Sequence, residues 1–266
     1  MQEYFDGNRN LWNQWTKIHF NSDFYDVNSF INGKNTIDPF ELDEVGPVSG
    51  KSLLHLQCHF GLTTLSWARL GAQVTGVDLA GEAIKTANDL AKQIKQPASF
   101  IESNVYDLPN KLDQQFDIVY TSFGVLNWLP DLTRWAKICF DYVKPGGVFY
   151  LAEYHPFTWV FDEKNPDQLE VGYDYFDQEV LIETIVGSYA DPEAVIDQKE
   201  SYEWAHPMGE VLTSLINAGF QLEFVHEFDF SNYKRYPFLV RNEKGMWVMP
   251  EGKARIPLMF SVRANK

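Results

Sequence analysis

Two of the six histidines precede a proline, in Glu153-Tyr154-His155-Pro156 and in Glu203-Trp204-Ala205-His206-Pro207. An imidazole titrates near neutral pH, so either can take a proton from an acceptor hydroxyl or amine, or hold a substrate by a hydrogen bond. His155 and His206 are therefore the candidate catalytic groups, as base or as holder. Each can also simply bond backbone in its own turn, because the residue before proline is held extended. At least one of the two is expected to touch substrate. Glu153 is placed to orient His155 or to cap a loop, and His19 and His59 are expected to pack. The histidines lack metal-ligand spacing and Cys58 and Cys139 lie far apart, so no metal site is expected. Asp78 ends the run Thr75-Gly76-Val77-Asp78, about 20 residues past a strand–turn–helix signal at 53–61. An acid at that spacing holds ribose hydroxyls in doubly wound folds. Its plainer use is as the N-cap of the helix that follows.

These groups need a frame. Ser52–Gln57, Gln73–Asp78, Ser99–Ser103, Phe116–Ser122 and Val148–Glu153 are short apolar runs, with helical patterns at Leu62–Leu70, Gly81–Lys95 and Leu132–Val143 between them. Strands apolar nearly throughout and separated by helices predict a parallel sheet covered on both faces. Lys144-Pro145-Gly146-Gly147 is expected to stop its helix and turn the chain into the next strand. A helix over Gly209–Ala218 leads into the runs Phe220–Phe230 and Pro257–Ala264, which suggest an antiparallel pair finishing the sheet. Glu179–Val186 and Val195–Trp204 read as a hairpin inserted after the fifth strand. Trp12, Trp15, Phe20, Phe24, Tyr25 and Phe30 have the helix-like spacing of an amphipathic cap. The expected organisation is a helical cap over residues 1–50, a core over 51–155, an inserted hairpin over 156–206, and a C-terminal helix and strands over 207–266.

The 266 residues carry 37 Asp and Glu against 22 Lys and Arg, a formal net charge of −15. A surface that tracks phosphates needs clustered cations, so nucleic acid is not expected as substrate. Hydrophobic residues make up 45%, enough for a buried core, yet no apolar run reaches the length of a membrane span. Two cysteines and a polar, acidic N-terminus point to a soluble protein of a reducing compartment, the cytoplasm.

The ordered motifs carry a family likeness. The turn Leu53-Leu54-His55-Leu56-Gln57-Cys58-His59-Phe60-Gly61 is followed by Gly76-Val77-Asp78, Asn104-Val105-Tyr106-Asp107-Leu108-Pro109 and Phe116-Asp117-Ile118-Val119. Ser122-Phe123-Gly124-Val125-Leu126-Asn127-Trp128 and Lys144-Pro145-Gly146-Gly147 complete the set. Over residues 50–155 the chain resembles the class I S-adenosylmethionine-dependent methyltransferases. The resemblance implies a doubly wound α/β fold, a Rossmann-like and mostly parallel seven-stranded sheet. Its C-terminal strand pair is antiparallel, with an N-terminal helical cap and a β-hairpin insertion. It implies S-adenosyl-L-methionine as cofactor, with Gln57, Cys58, His59 and Gly61 at the methionine part, Asp78 and Leu79 at the ribose, and Asn104 and Val105 at the adenine. Ser122 and Phe123 complete that set. Phe24, Tyr25, Trp128 and Glu153 are expected at the acceptor pocket, with the N-terminal helices closing over it.

The turn departs from the family's Asp-x-Gly-x-Gly-x-Gly, reading His55-x-Gln57-x-His59-x-Gly61. Glycine takes positive φ freely, so Gln57 and His59 are expected to serve with negative φ and side chains directed away from the cofactor. The implied reaction is in-line methyl displacement by an oxygen, nitrogen or sulfur nucleophile of a small molecule. No nucleic acid or membrane partner is expected, and the protein is expected to be a monomer or homodimer. A non-catalytic binder of S-adenosylmethionine or another metabolite is the alternative. A nicotinamide-dependent oxidoreductase would need more glycines at 53–61 than the one present.

Overall fold

Alternate residues of an extended strand face opposite ways, so a strand apolar throughout must be covered on both sides. The computed structural model, which describes all 266 residues, is built on that rule. Leu54 and Leu56 of β1 (Ser52–Leu56) face one hydrophobic cluster and Leu53 the other. Val119 of β4 (Phe116–Ser122) likewise opposes Ile118 and Tyr120. The first face is closed by α6 (Leu132–Tyr142) and α7 (Met208–Ala218), and the second by α3 (Pro39–Val45) and α4 (Leu62–Arg69). A third cluster joins α4 to α2 (Val27–Ile31) and α5 (Gly81–Gln93).

The seven-stranded sheet also contains β2 (Gln73–Asp78), β3 (Ser99–Glu102), β5 (Val143–Tyr154), β8 (Gln221–Phe228) and β12 (Met259–Asn265), in the order β3-β2-β1-β4-β5-β12-β8. The first five are parallel, and β12 inserts antiparallel between β5 and β8. Connections leave β1 in one direction and β4 in the other, so the carboxyl ends of these two strands flank a crevice of the kind that binds ligands in open α/β sheets.

The Lys144–Gly147 turn does not precede its strand. It lies within β5, where the pairing shifts register between Phe116 and Ile118 of β4. The run expected over Phe220–Phe230 also divides. β8 ends at Phe228, and β9 (Phe230–Ser231) leaves for a small sheet with β10 (Val240–Arg241) and β11 (Trp247–Val248).

Two segments lie against the crevice. The 19-residue α1 (Gln2–Phe20) carries Asn8, Leu11, Trp15 and His19 on one buried face. In the later segment β6 (Leu181–Thr184) pairs with β7 (Glu200–Glu203) as an antiparallel hairpin. Asn8 ties the two reciprocally: its amide donates to Tyr202 O (2.7 Å) and its carbonyl accepts from Tyr202 N (3.0 Å). A Cβ on Gly7 would fall 2.5 Å from the Tyr202 ring, so only glycine lets α1 approach this closely. Trp15 Nε1 donates to Gly187 O (2.9 Å), and Trp204 N to Asn127 O (2.8 Å).

Candidate active site

The first turn is held by backbone bonds to β2. Cys58 N donates to Val77 O (2.9 Å), and His59 N donates to the Asp78 carboxylate (2.7 Å). These bonds set the chain path, and the path makes φ positive at Gln57 (56°), His59 (50°) and Gly61 (80°). The expectation of negative φ is thus overturned: two side chains occupy the left-handed backbone that glycine usually serves. For an L-residue that conformation costs about 1–2 kcal/mol. At Gly61 no side chain is possible, because a Cβ would lie 2.8 Å from the Phe100 ring.

Asp78 is not the N-cap of α5, a position that Ala80 takes without a side-chain cap bond. Its second oxygen accepts from Ala80 N at the start of α5 (2.9 Å), and its first from the turn. Each oxygen retains lone-pair capacity for a hydroxyl. Burial raises the carboxyl to about 6, against the pull of the Ala80, His59 and Leu79 amides. At neutral pH it is mostly ionised.

His59 also joins a chain that runs out to the hairpin segment. Ser188 Oγ accepts from the amides of Ala190 (3.1 Å) and Asp191 (3.3 Å), which leaves its hydrogen for His19 Nε2 (3.2 Å). His19 Nδ1 then donates to His59 Nε2 (2.9 Å). The His59 proton is thereby assigned to Nδ1, an atom buried with no partner. Burial lowers His19 to about 3 and His59 well below its ordinary value, so both rings are neutral. Aromatic rings enclose the pair. Tyr25 stacks on His19 (5.1 Å between centroids), Trp12 meets His59 edge-on (5.1 Å), and Trp128 meets Trp12 (5.4 Å). Tyr25 and Tyr189 share a hydroxyl–hydroxyl bond of 2.5 Å, and the half-exposed Phe24 packs beside both.

On the other side of the turn Gln57 Nε2 donates to Val125 O (2.8 Å), while its Oε1 is buried without a partner. Val125 belongs to the loop after β4, and Glu153 organises that loop. Its carboxylate accepts from Gly124 N (2.5 Å), Val125 N (2.8 Å), Leu126 N (3.2 Å) and Tyr154 N (2.6 Å). Burial raises Glu153 above the usual carboxylate range, and the four amides oppose it. Ser122 ends β4; Phe123, with φ of 37°, turns its ring onto Phe40 and Tyr154. Asn104 Oδ1 accepts from Tyr106 N (3.0 Å), capping the short turn in which Val105 is buried. Cys58 is buried and its thiol is pushed well up by burial.

The two proline-linked histidines make no bond to this turn, and His206 lines a cavity between the hairpin segment and the loop after β4. His155 Nδ1 accepts from Phe157 N (3.1 Å), so its Nε2 carries the proton and donates to Glu227 Oε1 on β8 (2.8 Å). Glu227, not Glu153, orients it. His206 points Nε2 at Leu129 O (2.7 Å) and Nδ1 at Glu210 Oε2 (3.2 Å). Both rings have both nitrogens engaged. Sequence reasoning passed over Ser188, Asn127 and Glu203. The contact of α1 with the turn did leave a signal, because Asn8, Trp12, Trp15 and His19 recur at helical spacing on one face.

No group of three or more His, Cys, Asp or Glu is arranged to hold a metal ion. Residues 54–149 match the model of the methyltransferase domain family. The sheet order is that of the class I S-adenosylmethionine-dependent methyltransferase fold, and the match over residues 54–149 is to a methyltransferase domain. Among relatives, a ubiquinone biosynthesis O-methyltransferase of Albidiferax ferrireducens is 34% identical over 132 residues, 48% of this chain and 52% of that protein. The chain therefore spans about half the length of the curated relatives it matches. An S-adenosylmethionine-dependent methyltransferase from Mesorhizobium loti superposes with a TM-score of 0.58 at 18% identity, over 89% of this chain and 100% of that one. One from Clostridium acetobutylicum superposes with a TM-score of 0.58 at 16% identity, over 96% and 99%. At such identities these two likenesses establish fold.

Proposed function

We propose that the protein is a methyltransferase that uses S-adenosyl-L-methionine and acts on a small-molecule acceptor. The observation that carries this reading is the Asp78 carboxylate at the end of β2, bonded to the first turn and with acceptor capacity left for ribose hydroxyls. The turn suits the rest of the cofactor. Gln57 Oε1 is an unsatisfied acceptor for an ammonium, and His59 Nδ1–H an unsatisfied donor for a carboxylate, the two charges of a methionyl end. When bound, S-adenosylmethionine supplies a methyl group on a sulfonium, open to displacement by a nucleophile. Asp78 and Leu79 hold the ribose in this reading, and Asn104 and Val105 the adenine. Ser122 and Phe123 shape the far wall.

Residues 1–50 and 156–206 act as lids on the core at 51–155, and 207–266 complete the sheet. Trp12, Tyr25 and Trp128 exclude water from the turn, which matters because desolvation and alignment supply much of the rate in such transfers. Among oxygen, nitrogen and sulfur nucleophiles, the relatives' O-methyltransferase name favours oxygen. His155 serves as a positioning residue for the end of β5, and His206 for the wall beside Leu129. Two buried free cysteines suit a reducing cytoplasm.

Titration calorimetry with S-adenosylmethionine and S-adenosylhomocysteine tests the cofactor half. Asp78→Ala should weaken binding about 10- to 100-fold, the scale of lost charge-assisted hydrogen bonds. Absence of binding at millimolar concentration overturns the reading. Mass spectrometry for S-adenosylhomocysteine formed with candidate acceptors tests turnover; binding without turnover across acceptor classes would reassign the protein as a sensor.

A further inference from the structure

A cavity opens between the hairpin segment and the loop after β4, bounded on the sheet side by Leu126, Asn127, Glu153 and Tyr154. It adjoins the first turn, because Gln57 bonds the carbonyl of Val125, next to Leu126. Five carboxylates line it, those of Glu153, Asp174, Asp177, Glu179 and Glu203, and no lysine or arginine does. Trp159, Tyr175 and Trp204 supply aromatic walls.

Acids on a solvated surface are ordinary, but this set is not merely on the surface. Glu153 and Trp204 are buried, and burial raises Glu203 above the usual carboxylate range while Asn127 and Ser201 pull it down. Asn127 Nδ2 donates to Glu203 Oε2 (2.7 Å) and Ser201 Oγ to Glu203 Oε1 (3.0 Å). Asn127 Oδ1 is buried with no partner, an acceptor waiting for a donor. None of the five carboxylates is in an ion pair, and a wall of acceptors and π-faces with that excess of negative charge is matched by a ligand that brings N–H donors and positive charge. Arg235 shows that the wall already attracts a cation: its guanidinium lies 4.1 Å from the Trp159 ring centroid, pairs with Glu163 (3.8 Å) and lowers Glu203 through space, one positive charge against five carboxylates.

Resting on the proposed methyl transfer, we propose that this cavity takes an acceptor bearing a protonated amine, held between Glu203, the Asn127 carbonyl and the aromatic walls. A protonated amine has no free lone pair, so the ammonium is the recognition handle and a second atom of the acceptor receives the methyl.

The test uses a matched pair of probes on the full chain saturated with S-adenosylhomocysteine. Tyramine and 3-(4-hydroxyphenyl)propionate share a phenol and differ in the sign of the terminal charge. Calorimetry should show tyramine binding at least tenfold more tightly, with the difference shrinking as salt is raised. Glu203→Gln should remove most of that preference while S-adenosylhomocysteine still binds. Because Glu203 also bonds Asn127 and Ser201, the rim variant Asp177→Asn/Glu179→Gln is the control for folding, and it should cut tyramine affinity about threefold. Equal affinity for the two probes, a preference for the propionate, or tyramine binding indifferent to both variants overturns the proposal. Loss of S-adenosylhomocysteine binding in the unaltered protein would instead overturn the cofactor reading on which it rests.

Discussion

The segment at 52–155 and the one at 156–206 meet across the same cavity but are held in place by different means. The first is made of strands whose alternate residues disappear into two clusters, and Trp67, Trp135, Tyr120 and Phe149 are fully buried there. The second keeps Val171, Phe176, Val186 and Val195 exposed and buries little besides Val160, Phe161, Ile196, Tyr202 and Trp204. Its position depends on a few directed bonds: Asn8 to Tyr202, Trp15 to Gly187, Ser188 to His19 and Trp204 to Asn127. The first frame is therefore stabilised by burial, and the second by directed bonds, three to α1 and one to the loop after β4.

Four measurements sharpen or break that contrast. Trp135→Ala, in the core, should cost about 3–5 kcal/mol in denaturant unfolding and lower the global transition. A loss below about 1 kcal/mol would show that burial is not what holds this frame. Asn8→Ala leaves Tyr202 N and O unpaired and should cost about 1–3 kcal/mol. Hydrogen exchange should quicken over 181–203 and remain slow in the sheet; uniform quickening would mean that the two segments unfold as one. On the cofactor side, Asp78 is raised by burial to about 6. In the proposed site ribose hydroxyls donate to the ionised form, so S-adenosylhomocysteine affinity should fall by about tenfold for each pH unit below that value. Asp78→Asn should abolish the pH dependence along with most of the affinity. Last, Gln57→Gly relieves a left-handed backbone but frees the unfolded chain and gives up the bond to Val125 O, opposing terms of about 1 kcal/mol each. Its melting temperature should shift by only a few degrees either way.

The same contrast explains what could be read in advance. Leu53–Leu56 and Thr75–Asp78 were legible because strands covered on both faces are apolar residue after residue. The position of Asp78 followed from strand order and spacing. The φ of Gln57 and His59 was not legible, because it is imposed by bonds to Val77 and Asp78 that no local pattern encodes. His155 had no visible partner, since Glu227 lies 72 residues later and reaches it only through the antiparallel end of the sheet. The hairpin showed as two β-rich runs, Glu179–Val186 and Val195–Trp204, yet only Leu181–Thr184 and Glu200–Glu203 pair. The two-residue strands β9, β10 and β11 are too short for periodicity to mark.

The bonds from Ser188 through His19 to His59 all point the same way, and that order acts as a selection rule at the first turn. A group that accepts hydrogen finds His59 Nδ1–H already presented. A group that donates would have to turn around His59, His19 and the Ser188 hydroxyl together. The reversed hydroxyl would then lose its outlet, because its oxygen is already claimed by the amides of Ala190 and Asp191. The segment at 156–206 thus takes part in setting the direction of hydrogen bonding at the turn, from the far end of a line three side chains long.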